Sequence, residues 1–139
     1  NKWNHIFKKF PTLLCEEKLH DLDNFIAGTA DLIYENKTHF MVGDFKTNKA
    51  FNFFSQYNEF MLKPMDHLSV CEFNTYGLQL SLYAYLHEKS SGKKCTGCVV
   101  FYKDKENKFY PIRVNYMKKE IISLIEDYNN PNSLSSKID

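Results

Sequence analysis

The sequence predicts an α/β domain, with a central mixed sheet begun by an antiparallel meander, extended by further strands and flanked by helices. Three observations carry this expectation. Residues 12–47 form successive strand-like runs broken by polar turns. Residues 68–92 form one long helical segment, and residues 95–115 return to strand-like runs before an amphipathic close. Strands, helix, strands, helix is the order of a sheet with helices packed on it. A chain of 139 residues with 43% hydrophobic content can bury one real core, so a single domain over 1–139 is expected.

The elements follow in order. "NKWNHIFKKF" reads as a short helix or an irregular arm, stopped by Pro11. "TLLCEEKLHD" reads as a strand. "NFIAGTADLIYE", residues 24–35, is a clearer one, with Gly28 marking a bulge or a close approach. "ENKT" is a polar turn, and "HFMVGDFKT" is the returning strand. In residues 48–67, Phe51, Phe54, Tyr57 and Met61 follow helical spacing until Pro64, so a loop with a short helix is expected. Its aromatic residues are expected in the core rather than as a base-stacking platform.

The strongest helix is "LSVCEFNTYGLQLSLYAYLHEKSSG", with Ser69 and Glu72 as a capping box and Gly92 as the stop. Positions 71, 75, 78, 82, 85 and 86 form its inner stripe. A hairpin follows: "CTGCVVFYKD", a turn at "KENK", then "FYPIRVN". "YMKKEIISLIEDYNN" closes as a helix with Ile121, Ile122, Leu124 and Ile125 inward, and residues 129–139 read as a polar tail or linker.

Composition narrows the function classes. A net charge of +1 gives no global basic field, so an anionic partner must be held locally. No apolar run approaches the roughly 20 residues of a membrane helix, and no secretory leader is visible, so no membrane partner and an intracellular setting with reduced cysteines are expected. The first residue is Asn, which suggests a piece of a longer chain. Cys95 and Cys98 have C-x-x-C spacing but open a strand, where they face opposite sides, so they read as small buried thiols at a sheet entry. His20, His39, His67 and His87 read as surface or turn residues.

Chemistry concentrates at "VGDFKT". On a strand Asp44 and Lys46 share one face. Alone they would most economically be an exposed ion pair on an edge strand. Asp31 lies in the preceding strand. A two-residue turn at Asn36 and Lys37, or a four-residue turn over 35–38, sets Thr29 opposite Asp44 and makes Asp31 its diagonal neighbour on one face. A three-residue turn would separate the two carboxylates. Two carboxylates on one face repel unless neutralised, and a divalent cation such as Mg²⁺ takes hard oxygen ligands. The Phe45 carbonyl offers a further oxygen. Lys46 then stands beside the ion, able to orient water or stabilise charge on a phosphate. Gln79 and Tyr83, four apart on the long helix, share a face and could brace Lys46 or bind a phosphate oxygen.

The ordered set Gly28-Thr29-Ala30-Asp31, Asp44-Phe45-Lys46 and Gln79 to Tyr83 resembles the PD-(D/E)xK nuclease superfamily, most closely its RecB-like branch. The segment "LKPMDHL…NTYGLQLSLYAYL" is similar to phage-encoded members of that branch. The resemblance implies a restriction-endonuclease-like core and a metal-dependent nuclease hydrolysing phosphodiester bonds in DNA, as exonuclease or endonuclease, in a bacterium or a phage-infected host. It implies Asp31 and Asp44 as ligands of Mg²⁺ or Mn²⁺, Lys46 as the catalytic lysine, and Gln79 and Tyr83 as the supporting motif. Glu16 would be the acidic residue of the preceding strand, with Glu17 its rival. Two departures stand out. Many relatives place a metal-ligating His on an N-terminal helix, and here only His5 lies so early. The four cysteines also lack the grouping that holds an iron–sulfur cluster in some relatives. A catalytically silent nucleic-acid-binding or assembly module, or an RNA-cleaving enzyme, is the alternative on the same scaffold, and other domains of a longer protein would add substrate grip.

Overall fold

The computed structural model describes residues 2–47 and 50–132. The elements run α1 (Lys2–Lys9), β1 (Thr12–Asp21), β2 (Ile26–Glu35), β3 (His39–Lys46), α2 (Glu72–Ser91), β4 (Lys94–Lys103), β5 (Phe109–Val114) and α3 (Lys118–Asn129). The five strands lie side by side in chain order, antiparallel throughout except for the parallel pair β3 and β4. This is the mixed, helix-flanked sheet that the sequence predicts. A parallel step needs a long crossover, and residues 50–71 with α2 supply it. Helix α2 packs on the sheet and α3 packs on α2. Ile33 belongs to the core beneath α2, so its neighbour Tyr34 faces the other way, where Phe7 of α1 meets it at 5.1 Å between ring centroids.

Burial explains the strand order. Phe40 to Asp44 of β3 and Cys98 to Val100 of β4 are continuous buried runs, as interior strands covered on both faces require. Pro111 sits in β5, an edge strand, where a missing N–H costs no ladder bond. The core gathers Ile33, Phe40, Val42 and Val100 against Leu80 and Ala84 of α2.

Several expectations are corrected. Helix α2 starts at Glu72 after an extended Cys71 that makes no side-chain cap. The expected capping box is dissolved by other partners: Asn74 donates to the Ser69 carbonyl at 2.9 Å, and the Glu72 carboxylate accepts the Asn52 N–H at 3.1 Å. The buried face of α2 is Gly77, Leu80, Ser81, Ala84, Leu86 and His87, so the helix is rotated from the expected stripe. Small residues let it approach its neighbours closely; a Cβ on Gly77 would lie 2.9 Å from the Met117 methyl. Leu78 and Leu82 turn instead toward Leu124 and Ile125 of α3 around a shared cavity.

The segment before α2 contains no helix among its described residues, only turns, bends and a bridge between Phe60 and Ser69. Phe54 and Tyr57 are each 80% exposed, so they are not core residues. Strand β2 begins two residues later than expected because the Asp21 carboxylate gathers the N–H groups of Asp23 and Asn24 into a turn. In α3 only Ile121 is fully buried; Ile122, Leu124 and Ile125 are half-buried. Asn129 closes α3 instead of opening the polar tail, and residues 133–139 of that tail lie outside the described residues, as do Asn48 and Lys49.

The C-x-x-C pair also differs. The register between β3 and β4 slips at Thr96, and the extra residue brings Cys95 onto the same side as Cys98, where the two thiols meet. Both are free, with Cys98 buried and Cys95 half-buried. His87 is no surface residue. It is 6% exposed, meets Glu35 at 3.0 Å and stands edge-on to Phe40.

Candidate active site

The β2–β3 turn sets the geometry. The Asn36 N–H donates to the His39 carbonyl at 3.0 Å. The Asn36 side chain accepts the N–H groups of Thr38 and His39 at 2.9 and 2.8 Å. Asn36 therefore belongs to the ladder, and the two turn residues are Lys37 and Thr38 rather than Asn36 and Lys37. The register moves by two residues from the expected one, which preserves the face. The last ladder pair is Leu32 with Gly43, and one step beyond it Asp31 stands directly opposite Asp44 instead of diagonal to it. The Phe45 N–H donates to Asp31 Oδ2 at 3.1 Å and holds that carboxylate at the strand end.

Two facing carboxylates on a largely buried sheet surface divide their protons unequally. Burial pushes the Asp44 carboxyl up to about 7, helped by its hydrogen bond with Asp31 and opposed by Lys46. The same bond from Asp44 holds Asp31 below the ordinary carboxylate range, with the Phe45 N–H and Lys46 assisting against burial. One proton is thus shared across the pair near neutrality. Lys46 Nζ lies 2.9 Å from Asp44 Oδ2 as an ion pair. This oxygen is buried, with the Lys46 ammonium as its close partner. Burial works against the charge on Lys46, but Asp44 outweighs it, and the ammonium is held more firmly charged than usual.

Lys46 is braced by a residue the motifs do not include. Its Nζ sits 4.6 Å from the centroid of the Tyr76 ring. Tyr76 leans in turn on Phe51, at 5.8 Å. Gln79 and Tyr83 hydrogen-bond each other, the amide donating to the phenol at 3.2 Å. Tyr83 fills the space that Gly28 leaves empty, since a Cβ on Gly28 would fall 2.6 Å from its ring. Tyr76 precedes Gln79 by three and Tyr83 by seven, so a face drawn through Gln79 and Tyr83 already contained it.

Strand β2 breaks its alternation at the site. Ala30 and Ile33 both join the core beneath α2 although they stand three positions apart, an odd step. The break leaves Asp31 without a ladder partner on β1; opposite it stands Glu16, whose φ of 48 is left-handed. Glu16 is exposed, while Glu17 is half-buried and pairs with Ala30. Neither joins the carboxylates: among the described residues no three His, Cys, Asp or Glu side chains converge as a metal-binding group. His5 lies on α1 and is exposed. The expected trio of Glu16, Asp31 and Asp44 is thus a pair with a kink beside it.

No family model and no curated protein matches the chain. Its fold matches a solved structure from Eubacterium rectale named "putative exonuclease", with a TM-score of 0.57 and 14% identity, covering 90% of this chain and 46% of that one. The structure named SSO0001 aligns with a TM-score of 0.45 and 19% identity over 91% of this chain and 54% of that one, too loosely to carry weight. The chain therefore spans about half the length of the solved structures it matches. The first likeness shows a shared α/β fold with a protein bearing a nuclease name. No described helix is long and apolar enough to cross a membrane.

Proposed function

We propose that this chain is the core of a metal-dependent nuclease of the PD-(D/E)xK superfamily, on its RecB-like branch and related to phage-encoded members, which hydrolyses phosphodiester bonds in DNA. One observation carries the reading: the Asp44 carboxylate is buried, faces Asp31 across two strands and has Lys46 at 2.9 Å. An interior site rarely leaves a carboxylate oxygen so placed without a role. A hard cation satisfies it and removes the repulsion between the carboxylates, so the residues fit Mg²⁺ or Mn²⁺.

Asp31, Asp44 and the Phe45 carbonyl would hold the ion. The N–H and C=O of one strand residue point to the same neighbour, and the Phe45 N–H reaches Asp31, so its carbonyl emerges on that side too. When bound, the ion supplies Lewis-acid polarisation of a phosphate oxygen and a more acidic water. Lys46, beside Asp44, is placed to stabilise negative charge on the attacked phosphate and to orient the water. Tyr76 holds the ammonium from below. Gln79 and Tyr83 fix the face of α2 against Gly28 and so set the depth at which the carboxylates sit. With a net charge of +1, further domains of a longer protein would supply much of the grip on DNA.

Among the described residues the acidic set stops at two side chains, and this favours a second reading, a silent nucleic-acid-binding or assembly module. Labelled single- and double-stranded DNA and RNA, incubated with Mn²⁺ and with Asp31→Ala as control, separate the two. Cleavage by the unsubstituted chain alone supports the nuclease; no cleavage of any substrate supports the module, and cleavage of RNA alone would move the substrate.

A further inference from the structure

A second cavity adjoins the site. It has a volume of about 350 Å³ and lies between residues 52–59 and the start of α2. Tyr76 forms one wall, and the same ring carries Lys46 at 4.6 Å. Phe54 and Tyr57 form the outer rim, each 80% exposed. Two large aromatic side chains held in water contribute little to the core, and their apolar area is available to a ligand.

The chemistry of the walls selects the ligand. Glu59 and Glu72 line the cavity and no Lys or Arg does among the described residues, so a phosphate is disfavoured. Glu72 is already engaged with Asn52, and the Glu59 carboxylate, the Gln56 amide and the Ser55 and Thr75 hydroxyls remain in the lining to meet hydrogen-bonding edges. A neutral, flat, aromatic ring carrying N–H donors suits this set. The volume lies at the small end of ligand clefts, which run from about 300 Å³ upward, enough for one nucleobase with its sugar and far too small for a base pair with both strands.

We infer that this cavity receives one unstacked nucleobase of a single strand, next to the phosphate that Lys46 faces. The inference rests on the proposed nuclease reading for its location and deepens it, because it makes the substrate single-stranded or frayed. A base in a duplex stays in its stack and cannot enter. Stacking on Tyr57 and Phe54 gives sequence-tolerant affinity.

Binding is measured without cleavage, by fluorescence anisotropy of the full chain in EDTA. The probes are a labelled 12-nucleotide DNA strand, its RNA counterpart, the same strand made abasic, and the duplex. Expected are at least ten-fold tighter binding of the DNA or RNA strand than of the duplex, and an about ten-fold loss for the abasic strand. Tyr57→Ala should cost about ten-fold on the intact strand and almost nothing further on the abasic one. Tyr57 is exposed, so the variant keeps its fold, checked by an unchanged melting temperature. Equal affinity for intact and abasic strands, equal affinity for strand and duplex, or an unaffected Tyr57→Ala would each overturn the inference. Base-dependent binding by a chain that cleaves nothing with Mn²⁺ would keep the cavity and remove the nuclease; metal-dependent cleavage with no base dependence would do the reverse.

Discussion

Gly28 of β2 and Tyr83 of α2 occupy the space of one ordinary contact: a Cβ on Gly28 would stand 2.6 Å from the Tyr83 ring. Gly28→Ala must therefore push the ring outward and strain its bond with Gln79. The expected cost is about 1–3 kcal/mol of stability from overpacking, with reduced cleavage. Pairing it with Tyr83→Leu should recover stability without recovering activity, and a denaturation double-mutant cycle checks the coupling. Additive losses would show that the two residues are independent.

Asp44 is predicted to destabilise the metal-free chain. Its folded-state value, about 7, lies above the ordinary carboxylate value, so the unfolded chain releases its proton first. Stability therefore falls as pH rises from about 4 to about 7 and stays penalised above that. Asp44→Asn removes the penalty and should add about 1–2 kcal/mol at pH 8 and little near pH 4, after discounting the raw shift for screening and the lost Lys46 pairing. Urea denaturation at both pH values in EDTA reads this. Mn²⁺ should raise the melting temperature of the unsubstituted chain and leave Asp44→Asn unmoved; equal shifts would remove Asp44 from the ion's ligands.

Lys46→Ala should separate binding from chemistry. Calorimetry is expected to show Mn²⁺ binding retained, while cleavage falls by about 10²-fold or more, the usual loss for a group that stabilises transition-state charge. Tyr76→Leu removes the ring beneath the ammonium but keeps apolar bulk, and should cost a smaller factor, about ten-fold, in kcat. A fully active Lys46→Ala enzyme would end the assigned role.

Far from the site, Asp21 anchors the β1–β2 turn. It is 4% exposed, pairs with Lys89 at 2.8 Å and accepts Asn24 Nδ2 at 2.8 Å. The Lys89 bond, then Asn24, hold its carboxyl below the usual range. This contribution is complete above the unfolded value near 4 and is lost as pH falls through the lower folded value. Asp21→Ala should cost about 1–3 kcal/mol at pH 7 and progressively less toward pH 2, read from melting curves across pH.

The strands were legible in the sequence because their turns are written locally. Asp21, Asn36 and Asp104 each gather nearby N–H groups with a side chain. The facing of Asp31 and Asp44 was also legible, since slipping the register by two residues keeps the face. What could not be read were effects of tertiary packing. The rotation of α2 follows from small residues that fit against other elements, which helical periodicity alone ranks below Leu and Tyr. The meeting of Cys95 with Cys98 depends on a slip at Thr96 that needs β3 beside it. Tyr76 carried the right spacing but no motif, and Glu16 carried the right sequence position but a backbone that leaves it exposed at the kink.

The break in β2 makes chain length matter as much as residue identity. Gly28 and Ala30 count inward on one phase of the strand, while Asp31 and Ile33 count inward on the other. One strand thereby packs Tyr83 and delivers a carboxylate to the same face within four positions. Side chains along β2 can vary within their size limits, but a single residue inserted or deleted between Ala30 and Ile33 would restore regular alternation, exchange inside for outside, and set Asp31 or the core on the wrong side of the sheet. A change of length in this segment should therefore cost the site more than a substitution does.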